Sequence, residues 1–246
     1  MTELAGRVAL VTGGSRGIGA ATARRLARAG ADVAITYVSR PAQAAAVVEE
    51  LRALGRRALA IEADSGDGDA VVAAVEETVR VLGRIDLLVN NAGIWDAAPI
   101  EQLDAERLDR MLAIHVRGSF LASRAAATRM GEGGAIVTIG SSLAERAGGP
   151  GMTIYSLTKA ALTGMTKGLA WDLGARGVTA NVIHPGPTDT DLNPADGPHA
   201  EEQRAGLATG RYGSADDVAA LVAHLAGPAG RSITGAAFAV DGGVNA

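Results

Sequence analysis

The chain has 246 residues, a formal net charge of −4 and a pI near 5.6. An acidic balance of this size argues against the basic surface with which proteins bind nucleic acid or anionic membranes. The absence of cysteine excludes disulfides and thiolate metal sites. We expect no metal site of another kind, because the four histidines, at 115, 184, 199 and 224, are not spaced as metal ligands.

Hydrophobic residues make up 48% of the chain, which is enough for the core of one large α/β domain. The first residues show no basic stretch followed by an apolar one, so we predict no signal peptide. No apolar run is long enough to cross a bilayer. These features predict a cytoplasmic protein without nucleic-acid or membrane partners.

Short runs rich in Val, Ile and Leu alternate along the chain with Ala-rich helical stretches. The predicted strands cover 7–12, 32–38, 57–64, 85–93, 133–142, 178–186 and 236–243. The predicted helices cover 18–30, 41–55, 69–83, 104–130, 153–177 and 214–227. Strict alternation of this kind is typical of a parallel sheet with helices on both faces. We therefore predict one doubly wound, Rossmann-like α/β domain over 1–246, with about seven strands.

One stretch, about 186–213, follows neither pattern. It is rich in Pro, Gly and Asp. Long irregular segments in compact domains are usually functional lids or disordered. We predict a substrate lid at about 187–212.

A glycine-rich segment, VTGGSRGIG, joins the first predicted strand to the first predicted helix. Gly13, Gly17 and Gly19 would let the backbone turn tightly and approach a pyrophosphate, while the helix N-terminus supplies N–H donors and a partial positive charge. The spacing is G-x-x-x-G-x-G rather than the G-x-G-x-x-G of most dinucleotide-binding folds. The position of the segment favours nucleotide binding over a glycine-rich turn without a ligand.

A second motif is YSLTK. Only two of the 23 basic residues are lysines, Lys159 and Lys167, and Lys159 lies four residues after Tyr155. On a helix both side chains project from one face. A cation within about 4–6 Å lowers the pKa of a phenol. We therefore expect Lys159 to lower the pKa of Tyr155 and make it a proton donor or acceptor for a carbonyl/alcohol pair; the alternative is an ordinary surface pair.

The motifs TGGSRGIG, NNAG (90–93), YSLTK and HPG (184–186) occur together and in this order. With them the chain resembles the short-chain dehydrogenase/reductase family over essentially its whole length. The resemblance implies hydride transfer between a nicotinamide and a carbonyl carbon, with Tyr155, Lys159 and a serine as the catalytic residues. The family's spacing of thirteen residues before Tyr155 selects Ser142, and Ser141 is the neighbouring alternative.

The resemblance also implies cofactor contacts, with Tyr155 and Lys159 among them. The others are Gly13, Ser15, Arg16, Gly17, Ile18, Gly19, Asp64, Ser65, Asn91, Ala92, Gly93, Pro185, Gly186, Thr188 and Thr190. We predict NADPH rather than NADH, because Tyr37 occupies the position at the end of the second strand where an acid would bind a ribose 2′-hydroxyl, and Ser39 and Arg40 follow it. Arg16 and Arg40 can bind a 2′-phosphate, and we expect no acid to repel it.

The substrate pocket is predicted to include Trp95, Ser142, Met152 and Leu192, although simple packing is an equal alternative for Trp95. The other tryptophan, Trp171, is expected in the core.

Position 115 departs from the family, which has asparagine where this chain has His115. Histidine carries protons near neutral pH. We predict that His115 joins the proton relay near Lys159; the alternative is a packed helix residue.

These residues predict an NADPH-dependent carbonyl reductase or alcohol dehydrogenase, with 3-oxoacyl thioesters and keto esters among the compatible substrates. The alternative is a nucleotide-binding regulatory protein that keeps the fold but has little turnover. An epimerase or dehydratase of nucleotide sugars is disfavoured, since the chain has no room for a larger substrate domain. A homo-oligomer, a tetramer, is expected from the family and from the Ala-rich faces of 104–130 and 153–175.

Overall fold

The computed structural model describes residues 3–246, which contain nine strands. They are β1 (Val8–Val11), β2 (Asp32–Tyr37), β3 (Ala58–Glu62), β4 (Leu87–Asn90), β5 (Ala135–Ile139), β6 (Thr179–Pro185), β7 (Thr188–Asp189), β8 (Gly213–Ser214) and β9 (Ala237–Val240). Seven of them form a parallel sheet in the order β3-β2-β1-β4-β5-β6-β9. The strand order reverses at β1, as in doubly wound sheets. The predicted fold class is confirmed; residues 1 and 2 of the predicted domain lie outside the described part.

The helices cover both faces of this sheet. They are α1 (Gly17–Arg28), α2 (Pro41–Ala53), α3 (Gly68–Leu82), α4 (Ala105–Met111), α5 (Ser119–Arg129), α6 (Thr153–Gly174), α7 (Ala200–Ala205) and α8 (Ala215–Ala226). A π-helical stretch, Leu112–Gly118, joins α4 to α5, so the predicted helical region 104–130 is one continuous body. Ser214 caps α8 in a capping box with Asp217.

Two apolar layers hold the helices to the sheet. Alternate strand residues such as Ala9, Val11, Val33 and Ile35 point to the layer beneath α1, α2 and α8. Their neighbours in the strands, such as Val8, Leu10 and Leu88, point to the layer beneath α3, α5 and α6. Burial on both faces explains why the strands are apolar at nearly every position.

The irregular stretch of the sequence is folded around a short helix. β7 pairs with β8 and joins its two ends, and α7 lies between them. The amide of Asn193 donates to Gln203 Oε1 at 2.9 Å, and the hydroxyl of Tyr212 donates to the same oxygen at 2.9 Å. The sequence did not predict α7, because six residues are too few for an apolar periodicity.

The expectation that Trp171 lies in the core is wrong. Its side chain is 89% exposed on the outer face of α6. Within residues 3–246, no helix combines the length and the apolarity that crossing a membrane requires.

Candidate active site

The predicted cofactor and catalytic segments meet at the carboxyl edge of the sheet. The glycine loop follows β1, the NNAG motif follows β4, Ser141 and Ser142 follow β5, and HPG ends β6. Ligands of open α/β sheets bind at this edge, where the strand order reverses. The topology thus gathers motifs that lie more than 170 residues apart in the sequence.

The glycine loop requires glycine for two different reasons. Gly13 and Gly17 have φ values of +64° and +52°, which side chains disfavour. At Gly19 a Cβ would lie 2.4 Å from the carbonyl oxygen of Gly13 and 2.5 Å from the amide of Asn91. Helix α1 starts at Gly17 without a side-chain cap and without an acid in its first turn. The free N–H groups of such a terminus fit an anionic phosphate.

Asn91 ties the glycine loop to the end of β4. Its amide nitrogen donates to the carbonyl oxygens of Thr12 at 2.8 Å and Gly13 at 3.0 Å. The hydroxyl of Thr12 in turn accepts from the backbone N–H groups of Asn91 at 2.9 Å and Ala92 at 3.0 Å. Asn91, which was predicted as a cofactor contact, therefore joins these two neighbouring loops.

Tyr155 and Lys159 lie on the inner face of α6. Lys159 is 5% exposed, and its Nζ donates to the carbonyl oxygen of Ile139 at 3.1 Å and lies 5.7 Å from the centre of the Tyr155 ring. The Trp95 ring covers Tyr155 with its centre at 4.7 Å and a tilt of 53°. A Cβ on Gly93 would be 3.6 Å from Nζ, so Lys159 also borders the NNAG motif. The surface-pair alternative for Tyr155 and Lys159 is thereby excluded.

Burial dominates the electrostatics of this pair. Burial raises the pKa of Tyr155 from 10.0 to about 12, and a hydrogen bond with the Ser141 side chain lowers it only in part. Burial also lowers the pKa of Lys159 from 10.5 to about 8. The expected lowering of the Tyr155 pKa by Lys159 is not observed in the free protein, where the ammonium group is bound to a backbone carbonyl instead. At neutral pH the phenol is therefore protonated and able to donate.

The structure favours Ser141 over Ser142 as the serine of the site. The side chain of Ser141 contacts the Tyr155 phenol. Ser142 is also buried, but its contact in this region is made by its backbone carbonyl, which accepts from the Asn245 amide at 2.8 Å. The family spacing selects Ser142, whereas Ser141 lies fourteen residues before Tyr155.

A buried histidine that the sequence did not assign holds Ser141 in place. The backbone N–H of Ser141 donates to Nδ1 of His184 at 3.1 Å, and Nε2 of His184 lies 3.2 Å from the hydroxyl of Thr163. Burial lowers the pKa of His184 from its ordinary value. His184 is part of the HPG motif, but the sequence does not show that it contacts Ser141. That contact depends on the pairing of β6 with β5.

His115 is placed as a structural residue. The N–H of Ile94 donates to its Nε2 at 3.0 Å, so the other ring nitrogen carries the proton and donates to the Thr158 hydroxyl at 2.9 Å. Burial first, and the charge of Lys159 second, lower the pKa of His115 to about 3. Because both nitrogens are occupied and the ring does not titrate near neutrality, the geometry favours the packed-residue alternative over the predicted proton relay.

The outer end of the site carries the residues predicted to select the cofactor. Arg40 precedes α2 and Arg16 precedes α1. Both guanidinium groups ion-pair with the lid residue Asp191, at 3.6 Å and 3.7 Å. The expectation that no acid lies near these arginines is therefore wrong, because the lid folds back over the glycine loop. Tyr37 is the last residue of β2, and Ser39 follows in the loop that leads to α2.

The predicted adenine contacts lie after β3. Asp64 is exposed and accepts from the N–H of Gly66 at 2.8 Å, whereas Ser65 is buried. The cap of α3 is Asp67, so Asp64 is not needed to start that helix.

The far side of the site is formed by the end of β6 and the start of the lid. At Gly186 a Cβ would be 2.6 Å from the carbonyl oxygen of Asp241, so only glycine fits after Pro185. The hydroxyl of Thr188 donates to the carbonyl oxygen of Gly186 at 2.9 Å. Thr190 carries the chain onto the glycine loop, where its Cγ2 is 3.4 Å from a Cβ built on Gly17.

The predicted pocket residues have different environments. Trp95 is 48% exposed above Tyr155, so it is a site wall rather than a core residue. Its segment is anchored by an ion pair between Asp96 and Arg107. Met152 precedes the first turn of α6, three residues before Tyr155, and Leu192 is 57% exposed on the lid. Among residues 3–246, no three His, Asp or Glu side chains are grouped so as to hold a metal ion.

Comparisons with known proteins agree with this arrangement. Residues 13–245 match a family model described as "Enoyl-(Acyl carrier protein) reductase". A short-chain dehydrogenase from Burkholderia cenocepacia J2315, solved in complex with NADP, is 56% identical with a TM-score of 0.98, over 99% of this chain and 100% of that one. The cyclic-di-GMP-binding biofilm dispersal mediator protein of Escherichia coli is 42% identical over 246 residues, all of both chains. The 3-oxoacyl-[acyl-carrier-protein] reductase of Synechocystis is 39% identical over 247 residues, 99% of each. The chain therefore belongs to the short-chain dehydrogenase/reductase family.

Proposed function

We propose that the protein is an NADPH-dependent carbonyl reductase or alcohol dehydrogenase that interconverts a ketone and a secondary alcohol. The observation that carries this proposal is the position of the Tyr155 phenol. At the carboxyl edge of the sheet its ring packs against Trp95, and the Nζ of Lys159 lies 5.7 Å from the ring centre. A proton donor at this place can serve a carbonyl held over the nicotinamide end of a bound cofactor.

The residues present fit NADPH along its length. The uncapped start of α1 and the glycine loop would hold the pyrophosphate, and Arg16 and Arg40 would hold the 2′-phosphate. Lys159 would bind the nicotinamide ribose, and Thr190 would contact the carboxamide. The bound nicotinamide would supply or accept the hydride. A relative from Burkholderia cenocepacia in complex with NADP supports this choice of cofactor.

The chain's own groups would manage the proton. Tyr155 is protonated at neutral pH, since its pKa is raised to about 12, and it donates to the carbonyl oxygen during reduction. Ser141 hydrogen-bonds the phenol and can orient the same carbonyl oxygen. The Lys159 ammonium, whose pKa is lowered to about 8, stabilises the phenolate left after the transfer. Hydrogen bonds of His115 and His184 would position these groups.

For the substrate we propose a 3-oxoacyl thioester or a keto ester, admitted beneath a lid at about 187–212. The 39% identical 3-oxoacyl-[acyl-carrier-protein] reductase of Synechocystis supports this class. The exposed faces of Trp95 and Leu192 offer apolar surface to an acyl chain. Reduction of acetoacetyl and longer 3-oxoacyl thioesters, keto esters, quinones and cyclic ketones with NADPH would rank the classes. A preference for quinones would contradict the substrate proposal.

The central test is Tyr155→Phe, which removes the proton donor and little else. We expect kcat to fall by about 10²–10⁴-fold or more, with the Kd of NADPH changed by less than about threefold. Tyr212→Phe is the matched control, because it removes a hydroxyl that bonds only within the lid, to Gln203. Retention of more than about a tenth of the wild-type rate in Tyr155→Phe would refute the assignment.

A second candidate function is nucleotide-binding regulation with little turnover. The observation that favours it is the 42% identity to the cyclic-di-GMP-binding protein of Escherichia coli over the full chain. Titration calorimetry with cyclic di-GMP separates the two candidates. Micromolar binding together with no turnover of any activated ketone would favour regulation.

We also propose that the protein is a cytoplasmic homotetramer. A groove of about 1250 Å³ runs between α4, α5 and α6, with Phe120 and Leu169 among its apolar lining and Arg110, Arg117 and Asp172 among its charged lining. Phe120 is 49% exposed, and Trp171 is 89% exposed on the same helix as Leu169. The outer strand β9 offers a second surface, since its alternate residues Ala237 and Ala239 are exposed. Two such surfaces on one chain suit a dimer of dimers built from copies of itself.

A further inference from the structure

We propose that Asp191 of the lid stands in for the cofactor's 2′-phosphate in the free protein, and that it thereby reduces the preference for NADPH over NADH. This inference rests on the proposed NADPH binding and adds to it a group that competes for the same two arginines. It gives the lid a role at the outer end of the cofactor site, far from the carbonyl.

The geometry of the ion pairs is that of a bridging anion. One carboxylate oxygen, Oδ2 of Asp191, lies 3.7 Å from Nη1 of Arg16 and 3.6 Å from Nη1 of Arg40. The two arginines come from different elements, the glycine loop and the start of α2. Within residues 3–246, neither arginine ion-pairs with another acid. An oxygen held between two guanidinium groups is also the arrangement that a phosphate monoester makes.

The lid lies against the glycine loop at this contact. Thr190, which precedes Asp191, lies against Gly17, and β7 fixes the base of the lid two residues earlier. A cleft of about 310 Å³ opens at this point, lined in part by Ser15, Arg16, Gly17, Gln43 and Asp191. An incoming phosphate has to share this cleft with the carboxylate or displace it.

The ion pairs of Asp191 are weak because they are exposed, so a bound phosphate can replace the carboxylate. The side chains of Arg16, Arg40 and Asp191 are 41%, 48% and 47% exposed, so each carboxylate pair shifts an equilibrium by no more than about fivefold. A phosphate monoester carries more charge and three acceptor oxygens, so it outcompetes a single carboxylate. Asp191 therefore weakens NADPH binding without preventing it. NADH carries no phosphate at this place and meets no such competition.

The test is the substitution Asp191→Asn, which keeps the shape and removes the charge. The Kd values of NADPH and NADH are measured by cofactor fluorescence with wild type, Asp191→Asn and the control Asp196→Asn. Asp196 is an exposed acid in the same lid, five residues further on. We expect Asp191→Asn to lower the Kd of NADPH roughly tenfold, because two ion pairs of modest strength are lost. The Kd of NADH should change by less than about twofold.

Four results would overturn the inference. If Asp191→Asn lowered the Kd of both cofactors equally, or if Asp191→Asn and Asp196→Asn changed the Kd of NADPH equally, the effect would be a general one of charge. Weaker NADPH binding would mean that Asp191 supports the phosphate site. An unchanged Kd of NADPH would mean that the Asp191 carboxylate is solvated and does not compete with the phosphate. A wild-type preference for NADH would count against the proposed cofactor alone, because the effect of Asp191→Asn on NADPH can still be measured.

Discussion

The substitution Lys159→Met should stabilise the free protein while abolishing its activity. Lys159 is an ammonium group in the interior, 5% exposed, with one neutral hydrogen-bond partner, the carbonyl of Ile139. Burial lowers its pKa from 10.5 to about 8, which corresponds to about 3 kcal/mol of destabilisation at neutral pH. Methionine has a similar length and no charge, and it leaves the Ile139 carbonyl without a donor at a cost of about 1 kcal/mol. We therefore expect the free energy of unfolding at pH 7 to rise by about 2 kcal/mol.

The effect should depend on pH in a defined direction. Below about pH 8 the lysine is protonated in both the folded and the unfolded chain, so its full cost is present. Between about pH 8 and 10.5 the folded chain loses the proton first, so wild-type stability rises with pH, and above 10.5 the cost is gone. The advantage of Lys159→Met over wild type should shrink by about 2 kcal/mol between pH 7.5 and 9.5.

The free energies of unfolding are measured by urea denaturation, followed by tryptophan fluorescence, at one protein concentration and at the lower and the higher of these two pH values. Lys167→Met is the matched control, since Lys167 is the other lysine of the chain and is exposed. It should change the unfolding free energy by less than about 0.5 kcal/mol at either pH. If Lys159→Met were no more stable than wild type, and the difference did not change with pH, the lysine would not be a buried charge and the reasoning would fail.

Three further predictions follow from the site and the surface. His115→Asn should leave the pH profile of kcat between pH 5.5 and 8.5 unchanged, because the pKa of His115 is lowered to about 3. If the wild-type profile had a step near neutrality that the variant lacked, His115 would be a member of the proton relay after all. Ser141→Ala should lower kcat/KM by about 10²-fold or more and Ser142→Ala by far less, and the opposite order would return the role to Ser142. In light scattering at micromolar concentration the wild type should be a tetramer, and Phe120→Asp or Trp171→Asp should reduce it to smaller species; a monomeric wild type would contradict the assembly.

The sequence predicted the sheet well because the relevant signal is local. Apolar strands of four to seven residues alternate with helices whose ends are marked, as at Pro41, Gly83 and Ser214. Each observed strand of the main sheet lies inside its predicted range. Once the order of elements is known, the carboxyl edge of a parallel sheet gathers the motifs without further information. The positions of Tyr155 and Lys159 were predictable for that reason.

The errors arose where the answer depends on contacts distant in sequence. Asp191 reaches Arg16 and Arg40 only because the lid folds back, and no pattern near any of the three indicates this. The direction of the Tyr155 pKa depends on how deeply the ring is buried, which spacing alone does not give. Trp171 has the apolar character of a core residue but is 89% exposed, and no pattern in the neighbouring sequence distinguishes the two placements.

The site consists of groups that folding alone would not select. Lys159 holds a charge in the interior, the first turn of α1 has N–H groups without a side-chain cap, and Gly19 is required because any side chain would strike the loop. The first two features lower the stability of the empty protein, and a polar or anionic ligand that supplies the missing partner relieves each of them. NADPH should therefore raise the melting temperature of the wild type strongly and that of Lys159→Met only weakly. In the free protein Asp191 supplies an anion of the chain's own to Arg16 and Arg40, and for this reason its removal should change the binding of NADPH and not that of NADH.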